Sequence, residues 1–189
     1  GAYVLSPKVF DYIPKGRAVS IEREVFPKLA AEGKLRGFCM DSLWMDIGKP
    51  QEYLEANKTI LDFIADTVEK PLSQTSKINH PVALDQGVSL GDNSTIGPYA
   101  IIGKNVKVGK NVKICDSVVF PEVEIGDSTV ISGAIIGEGA RIGKHVKLGN
   151  GCIIGDQAKI KDNVHMQEGS AVCPAKEITE NVLKPRIDC

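Results

Sequence analysis

Between Ile78 and Val172 an apolar residue opens almost every sixth position, and a glycine very often follows it. The units Leu90-Gly-Asp-Asn-Ser-Thr, Ile96-Gly-Pro-Tyr-Ala-Ile, Ile102-Gly-Lys-Asn-Val-Lys and Val108-Gly-Lys-Asn-Val-Lys fix the frame. It runs back through Leu84 to Ile78 and forward through Ile114 to Phe120. After Phe120 two units read one residue short, which places openers at Ile125, Ile131 and Ile136; the six-residue step then resumes through Ile142, Leu148, Ile154, Ile160, Met166 and Val172. Four places after its opener each unit carries a small or β-branched residue: Ser94, Ala100, Val106, Val112, Val118, Thr129, Ala140, Val146, Cys152, Ala158, Val164 and Ser170. Both positions are expected to point inward, the second in a tighter slot. Every opener is apolar although only 42% of the chain is, so the period is real and marks a solenoid. Apolar positions one, five and seven miss the helical period of 3.6 and suit a short strand followed by a corner. Glycine after the opener, and Asn-Val or Gly-Ala at the far side, supply the backbone freedom that a repeated sharp corner needs.

This pattern resembles the hexapeptide-repeat, left-handed parallel β-helix family, in which three units make one triangular coil. The left hand is what the resemblance implies, and it runs against the usual right-handed crossover. With strands stacked about 4.8 Å apart, roughly five coils would form a prism on the order of 25 Å long.

Upstream the pattern changes. The chain enters at Gly1 directly into the apolar, strand-like Ala2-Tyr-Val-Leu with no turn before it, which reads as a cut end. A strand that short needs neighbours in an α/β sheet, and two more candidates follow, Leu35 to Met40 and Leu43 to Ile47. Between them Ser20 can cap a helix from Ile21 to about Glu32, with Ile21, Val25, Phe26 and Leu29 as its buried stripe and Gly33 as its stop. A second helix is expected from Pro50 to about Val68 with Tyr53, Leu54, Ile60, Leu61 and Ile64 inward. Residues 1–75 therefore read as a β-α-β-β-α piece of a sheet domain ending in the polar linker Lys70 to Ser76, and residues 76–189 as the solenoid with its C-terminal tail.

A net charge of -1 gives no reason to expect a nucleic-acid partner. No apolar run approaches the roughly 18 residues of a membrane span, and nothing resembles a signal peptide. Cys39, Cys115, Cys152, Cys173 and Cys189 are odd in number, widely spaced and without a CxxC pair, so a disulfide framework or zinc ribbon is not expected and a reducing cytoplasm is favoured. Cys152 falls in a small inward slot, where packing is its expected role.

Three stretches carry a sharper resemblance. Ala2-Tyr-Val-Leu-Ser-Pro, Ser20-Ile-Glu-Arg-Glu-Val-Phe-Pro-Lys-Leu-Ala and Trp44-Met-Asp-Ile-Gly-Lys-Pro-Gln-Glu-Tyr-Leu resemble the closing part of the catalytic domain of sugar-nucleotide pyrophosphorylases. Within that superfamily the chain is most similar to the mannose-1-phosphate guanylyltransferases, and Pro174-Ala-Lys-Glu-Ile-Thr-Glu-Asn-Val-Leu-Lys-Pro-Arg-Ile resembles the way they end. The resemblance implies attack of a sugar 1-phosphate on the α-phosphate of a nucleoside triphosphate (mannose 1-phosphate on GTP), releasing pyrophosphate and leaving a GDP-mannose-type product. It implies Mg2+ as cofactor, since two anions must be brought together, with Asp46 as one of its carboxylate ligands. Read without the resemblance, Asp46 is a cap or turn residue before the Pro50 helix. The family's Gly-rich loop with Thr-Arg-Leu and a proline is missing, as is the lysine of its Glu-Lys-Pro motif, which should precede Ala2. Glu69-Lys70-Pro71 comes too late to be that motif and reads as linker. Gly137-Glu-Gly-Ala-Arg-Ile-Gly143 is no phosphate loop, because its glycines are the repeat's own corners.

Two other functions fit the solenoid. Hexapeptide acyltransferases use a histidine as general base and β-helical carbonic anhydrases hold zinc with three. Here His145 takes a corner and His165 points out from a flat face, 20 residues apart where a coil has about 18, so they read as solvated surface residues like His80. Lys104, Lys107, Lys110 and Lys113 read as solvated corners. A purely structural oligomerisation or regulatory module is compatible with residues 76–189. The expectation taken forward is a catalytically incomplete C-terminal part of a mannose-1-phosphate guanylyltransferase-like enzyme, homo-oligomeric through faces or ends of its β-helix, with no nucleic-acid or membrane partner.

Overall fold

A computed structural model describes residues 2–64 and 75–189, in two compact units, 1–44 and 45–189. The linker residues 70–74, the expected end of the second helix and Glu69-Lys70-Pro71 lie outside the described residues.

In the second unit the hexapeptides wind into a three-sided parallel β-helix with sheets of six, seven and six strands. Face I stacks Lys77–Ile78, Thr95–Ile96, Lys113–Cys115, Val130–Ser132, Lys147–Leu148 and His165–Met166. Face II stacks Val82–Leu84, Ala100–Ile102, Ser117–Val119, Ile135–Ile136, Ile153–Ile154, Ala171–Val172 and Ile187–Asp188. Face III stacks Ser89–Leu90, Lys107–Val108, Glu124–Ile125, Arg141–Ile142, Lys159–Ile160 and Glu177–Ile178. Openers stand one above another, as Ile96, Ile114, Ile131, Leu148 and Met166 do on face I, and with the small slots they form one continuous interior. Corners are turned by residues at positive φ, among them Asn93, Asn105, Asn111, Ser128, His145 and Asn163. Asparagine enters this region at least cost among side chains that have a Cβ.

Two positions depart from the expected register. Phe120 is 37% exposed, and Val119, at 1%, fills the opener site instead. Val118 accordingly points out of the prism and stands outside the interior cluster, while Ser117 takes the small slot. The short steps therefore run from Ile114 to Val119 and from Ile131 to Ile136, both at the corner between faces I and II. Each is turned by one residue at positive φ, Asp116 (51°) and Gly133 (65°). Three consecutive apolar residues leave the period ambiguous at this point; pairing of Val118-Val119 with Ile101-Ile102 below and Ile135-Ile136 above resolves it.

The expected tail is a further coil, so the prism has about six coils in place of five. Glu177–Ile178 pairs with Lys159–Ile160, Val182 bridges Met166, and Ile187–Asp188 pairs with Ala171–Val172. That last pairing brings Cys173 beside Cys189, Cα atoms 4.8 Å apart, in a disulfide, which the number and spacing of the cysteines did not lead one to expect. Their 16-residue separation is close to one coil, a spacing visible only once the tail is seen to continue the repeat.

Before the prism, α2 (Pro50–Ile64) belongs to the same unit. Leu54 and Leu61 are 4% and 3% exposed, but Ile60 and Ile64, expected inward, are each 46% exposed. Lys58 Nζ lies 3.0 Å from Asp116 Oδ1 and over the Tyr99 ring, and Asp62 accepts from the Tyr99 hydroxyl. Residues four apart on α2 thus reach corners one coil apart, so the helix runs along the prism axis. Val118, although outward, is only 6% exposed. Asp116 also holds the Lys58 ammonium above its ordinary pKa.

The first unit carries no strand among its described residues, against the expected β-α-β-β-α. Ala2 to Leu5 and the stretches 35–40 and 43–44 run as irregular chain, as do 45–47 in the second unit. A strand without hydrogen-bonding neighbours has no ladder to join, and their apolar side chains are bare: Val4 103%, Phe38 88% and Trp44 68%. Pro7–Tyr12 forms a 3-10 turn capped by Ser6. The expected helix is split, a π turn over Ile21–Val25 passing into α1 (Phe26–Ala31). Pro27 has no N–H for the carbonyl four residues back, and the ladder slips there to Phe26 N–H on Ile21 O. Ser20 Oγ caps it by accepting from Arg23 N, and Gly33 (φ 66°) ends it. Val25, Leu29 and Val9 form this unit's small core with Ile21, Phe26 and Tyr12 around it.

Two outcomes check the packing. Ile142, 3% exposed, gives up burial worth roughly 1.5 to 3 kcal/mol and leaves a carboxylate unpaired when changed to Asp. Ile142→Asp will unfold the prism or lower its melting temperature sharply in thermal denaturation, whereas the corner change Lys144→Asp will do little. Buried hydroxyls differ in the same way. Ser94 Oγ lies 2.8 Å from the carbonyl oxygens of both Gly91 and Gly109, while Ser170 Oγ has no partner. Urea titration is expected to show Ser94→Ala costing about 1 kcal/mol and Ser170→Ala costing nothing or adding stability.

Candidate functional site

Asp46 is exposed in the segment leading into α2. It does not cap the helix: the Lys49 N–H donates to Glu52 Oε2 at 2.9 Å, so Glu52 supplies the acceptor. The Asp46 carboxylate itself carries no hydrogen bond or ion pair to a described residue. It is one free carboxylate beside Gly48, whose missing Cβ would stand 3.7 Å from Asp46 Oδ1. Magnesium takes near-octahedral oxygen coordination, and among the described residues no group of three or more His, Cys, Asp or Glu could hold a metal. The residues present do not by themselves make a magnesium site.

The remaining chemistry-bearing residues are dispersed. His145 takes a corner at φ 55°, and His165 stands outward on face I in register with Lys147, as the spacing implied. His80 lies at the start of the first coil, and among the described residues the three histidines join no group of three or more that could hold a metal. The four lysines spaced three apart are distributed over corners and two faces: Lys104 at a corner, Lys107 on face III, Lys110 at the next corner and Lys113 on face I.

Two hollows among the described residues have charged walls. In the first unit, Leu5, Lys8, Asp11, Tyr12, Lys34 and Arg36 line a half-open one of about 680 Å³. There Lys34 donates to Glu32 and Tyr12, which raises its pKa far above the ordinary value and ties up the charge. On face III a shallow groove of about 620 Å³ runs over a glycine floor, Gly109, Gly126 and Gly143, between Lys107, Arg141, Lys144, Lys159 and Lys161. Most of those cations are already paired. Lys107 and Arg141 flank Glu124 at 2.9 and 4.0 Å, and Lys161 reaches Glu177 at 3.2 Å. The Lys107 hydrogen bond also lowers the Glu124 pKa. The glycines are steric, not catalytic: a Cβ on Gly126 would stand 2.6 Å from the Gly143 carbonyl carbon.

One feature escaped the reading of the sequence. Outward on face II stand Ala83, Ile101, Val118, Ile135, Ile153, Ala171 and Ile187, directly one above another. Face III presents Lys107, Glu124, Arg141, Lys159 and Glu177 in the equivalent column. The signal was an apolar residue immediately before the opener in every third unit. Strands that are apolar on both sides are normally covered on both.

Comparison with known proteins matches residues 78–188 to the family model described as GMPPB C-terminal domain, and residues 1–63 to that described as Nucleotidyl transferase. Mannose-1-phosphate guanylyltransferase 1 of Arabidopsis thaliana is 34% identical over 99% of this chain and 51% of its own length. Probable mannose-1-phosphate guanylyltransferase 2 of Oryza sativa subsp. japonica is 32% identical over the same shares. The chain thus spans about half the length of the curated relatives that it matches nearly throughout. Among solved structures, the acetyltransferase domain of PglB from Neisseria gonorrhoeae FA1090 aligns with a TM-score of 0.47 at 15% identity, over 82% of this chain and 85% of that one.

The thiols provide a check on the site geometry. Cys152 is fully buried and burial pushes its pKa up, while Cys39 is exposed and Cys115 half-buried. In the folded protein iodoacetamide will label Cys39 first and Cys115 more slowly, read by mass spectrometry. Cys152 is expected to react only on unfolding.

Proposed function

The chain belongs to the family of the GMPPB C-terminal domain, and from that premise we propose that it is the C-terminal part of a nucleotidyltransferase that makes a nucleoside-diphosphate sugar of the GDP-mannose type. The observation that carries this reading is the order of matches along one chain: a nucleotidyl transferase segment over residues 1–63, then the C-terminal domain over 78–188. Relatives of about twice its length, named as mannose-1-phosphate guanylyltransferases, run in the same order across both. The bare apolar segments around Val4, Phe38 and Trp44 support the reading physically, because they are strand sequences for which the described residues supply no neighbours. In the complete enzyme, GTP and mannose 1-phosphate would be the substrates and Asp46 one carboxylate among several toward Mg2+. The other ligands and the groups that cradle phosphate would come from outside the described residues. The repeat serves assembly, making homo-oligomers through its faces or ends, in the cytoplasm. Among the described residues no helix is long and apolar enough to cross a membrane.

In-line transfer between two anions depends on positioning and charge neutralisation, and a lone exposed carboxylate supplies neither. With magnesium, GTP and mannose 1-phosphate, residues 1–189 alone will release no pyrophosphate above background in a coupled phosphate assay. In the longer protein, Asp46→Asn should lower turnover by orders of magnitude while circular dichroism shows the β-helix intact. Turnover by the short chain, or full activity of Asp46→Asn, would overturn the corresponding assignment.

A further inference from the structure

The last strand of face II is held to the prism differently from the strands below it. Along that face the inward position passes from Ile102 through Val119, Ile136 and Ile154 to Val172, all apolar, and then to Asp188, which stands in register with Val172. The Asp188 carboxylate accepts from Arg186, two residues back in its own strand, at 2.9 Å. From Leu183 to Cys189 no side chain is buried: Asp188 is half-buried, and Leu183 and Ile187 are exposed. The stretch therefore has no apolar anchor.

The small slots show the same change. Ser94 and Thr129 reach carbonyl oxygens of the coil above, those of Gly109 and Gly143, at 2.8 and 2.7 Å. Ser170, fully buried beneath the last coil, finds no acceptor there. What joins residues 183–189 to the prism is polar and covalent. Ala171 N–H donates to the Arg186 carbonyl at 2.9 Å, Cys173 N–H to that of Asp188 at 2.8 Å, and Lys176 Nζ to that of Cys189 at 2.9 Å. Such bonds on a strand of two residues, Ile187–Asp188, do little against the entropy of ordering it. The remaining tie is the disulfide, which closes the loop between positions 16 apart and removes most of that freedom.

We infer that the Cys173–Cys189 bond is a redox clasp: closed, it keeps residues 183–189 in place as the end strand of face II, and reduced, it releases them. Cys189 is exposed and Cys173 half-buried, so a thiolate of a small dithiol reaches the Cys189 sulfur. A mixed disulfide forms there, and Cys173 leaves as a thiolate and takes up a proton. The second thiol of the reductant then displaces Cys189. The dithiol ends as a disulfide, having given up two electrons and two protons, and the protein holds two thiols. A low-molecular-weight disulfide runs the exchange in reverse, so the state of the clasp follows the surrounding thiol–disulfide balance. Opening takes the acceptors from the Ala171 and Cys173 amides and leaves Ala171–Val172 as an unpaired edge strand.

The test is amide hydrogen exchange by NMR on residues 1–189, in oxidised glutathione and again in dithiothreitol, with the bond followed by intact mass. With the bond closed, the Ala171 and Cys173 amides should be protected. Reduction should speed their exchange at least tenfold, while Gly109 and Gly126 lower in the prism keep their rates and the main thermal transition moves little. Cys189→Ser should exchange fast in both buffers. Asp188→Val supplies the missing apolar anchor and should keep both amides protected even in dithiothreitol, which a bond that merely reports on the fold would not predict. No bond in oxidised glutathione, equal exchange in the two buffers, or loss of protection throughout the prism on reduction would each overturn the proposal.

Discussion

Every feature of the second unit follows from the closeness of its coils. Backbone amides donate upward to the next coil, Gly109 N to Ile125 O at 2.8 Å and Gly126 N to Ile142 O at 2.7 Å, which sets the distance between layers. At that distance a Cβ on Gly91, Gly109, Gly126 or Gly143, the position after the opener in the first four coils of face III, would stand within 2.6 Å of an atom of the neighbouring coil; Lys161 and Thr179 take the position in the last two. The same closeness makes each small slot narrow enough that Ser94, Thr129, Cys152 and Ala158 fit it, and that a serine there can bond carbonyls of its own and the neighbouring coil. The hydrophobic interior is then a filled column, with little room for a larger residue at the small position or a smaller one at the opener.

This explains what was legible in the sequence. Spacing of openers and slots is imposed by coil-to-coil contact at every unit, so the repeat could be framed from four hexapeptides and extended both ways. The frame failed where local pattern was ambiguous: Val118, Val119 and Phe120 are all apolar, and only pairing with the adjacent coils decides which one is inward. It stopped too soon at Val172, because Ile178 and Val182 are separated from the glycine-rich units by a stretch without the glycine signal. The strand expectations in the first 47 residues failed for a different reason. Apolar runs signal a strand only if a neighbour exists to pair with, and no local pattern reports that.

The candidate site was legible only as motif. Asp46 was singled out by the residues around it, and its surroundings are a single exposed carboxylate next to a helix whose cap is made by Glu52. The lysines illustrate how a solenoid redistributes sequence. A spacing of three alternates between corner and face, so Lys104, Lys107, Lys110 and Lys113, adjacent in the chain, are sent to different surfaces, and two of them meet carboxylates, Glu124 and Asp92. The apolar column on face II is the converse: residues about 18 apart in sequence form one continuous surface.

The two one-residue corners at Asp116 and Gly133 have a consequence for anything that lies along the prism. A strictly repeating wall offers the same seat at every level, and an elongated guest could shift by one level with nothing to oppose it. Here consecutive outward residues are 17 apart between Ile101 and Val118 and between Val118 and Ile135, against 18 from Ala83 to Ile101 below and from Ile135 to Ala171 above. The perimeter is drawn in at mid-height, and the notch falls where Lys58 is anchored to Asp116. That indentation acts as a fiducial mark: it gives an otherwise translation-symmetric scaffold a single origin, and with it a top and a bottom that a partner can read.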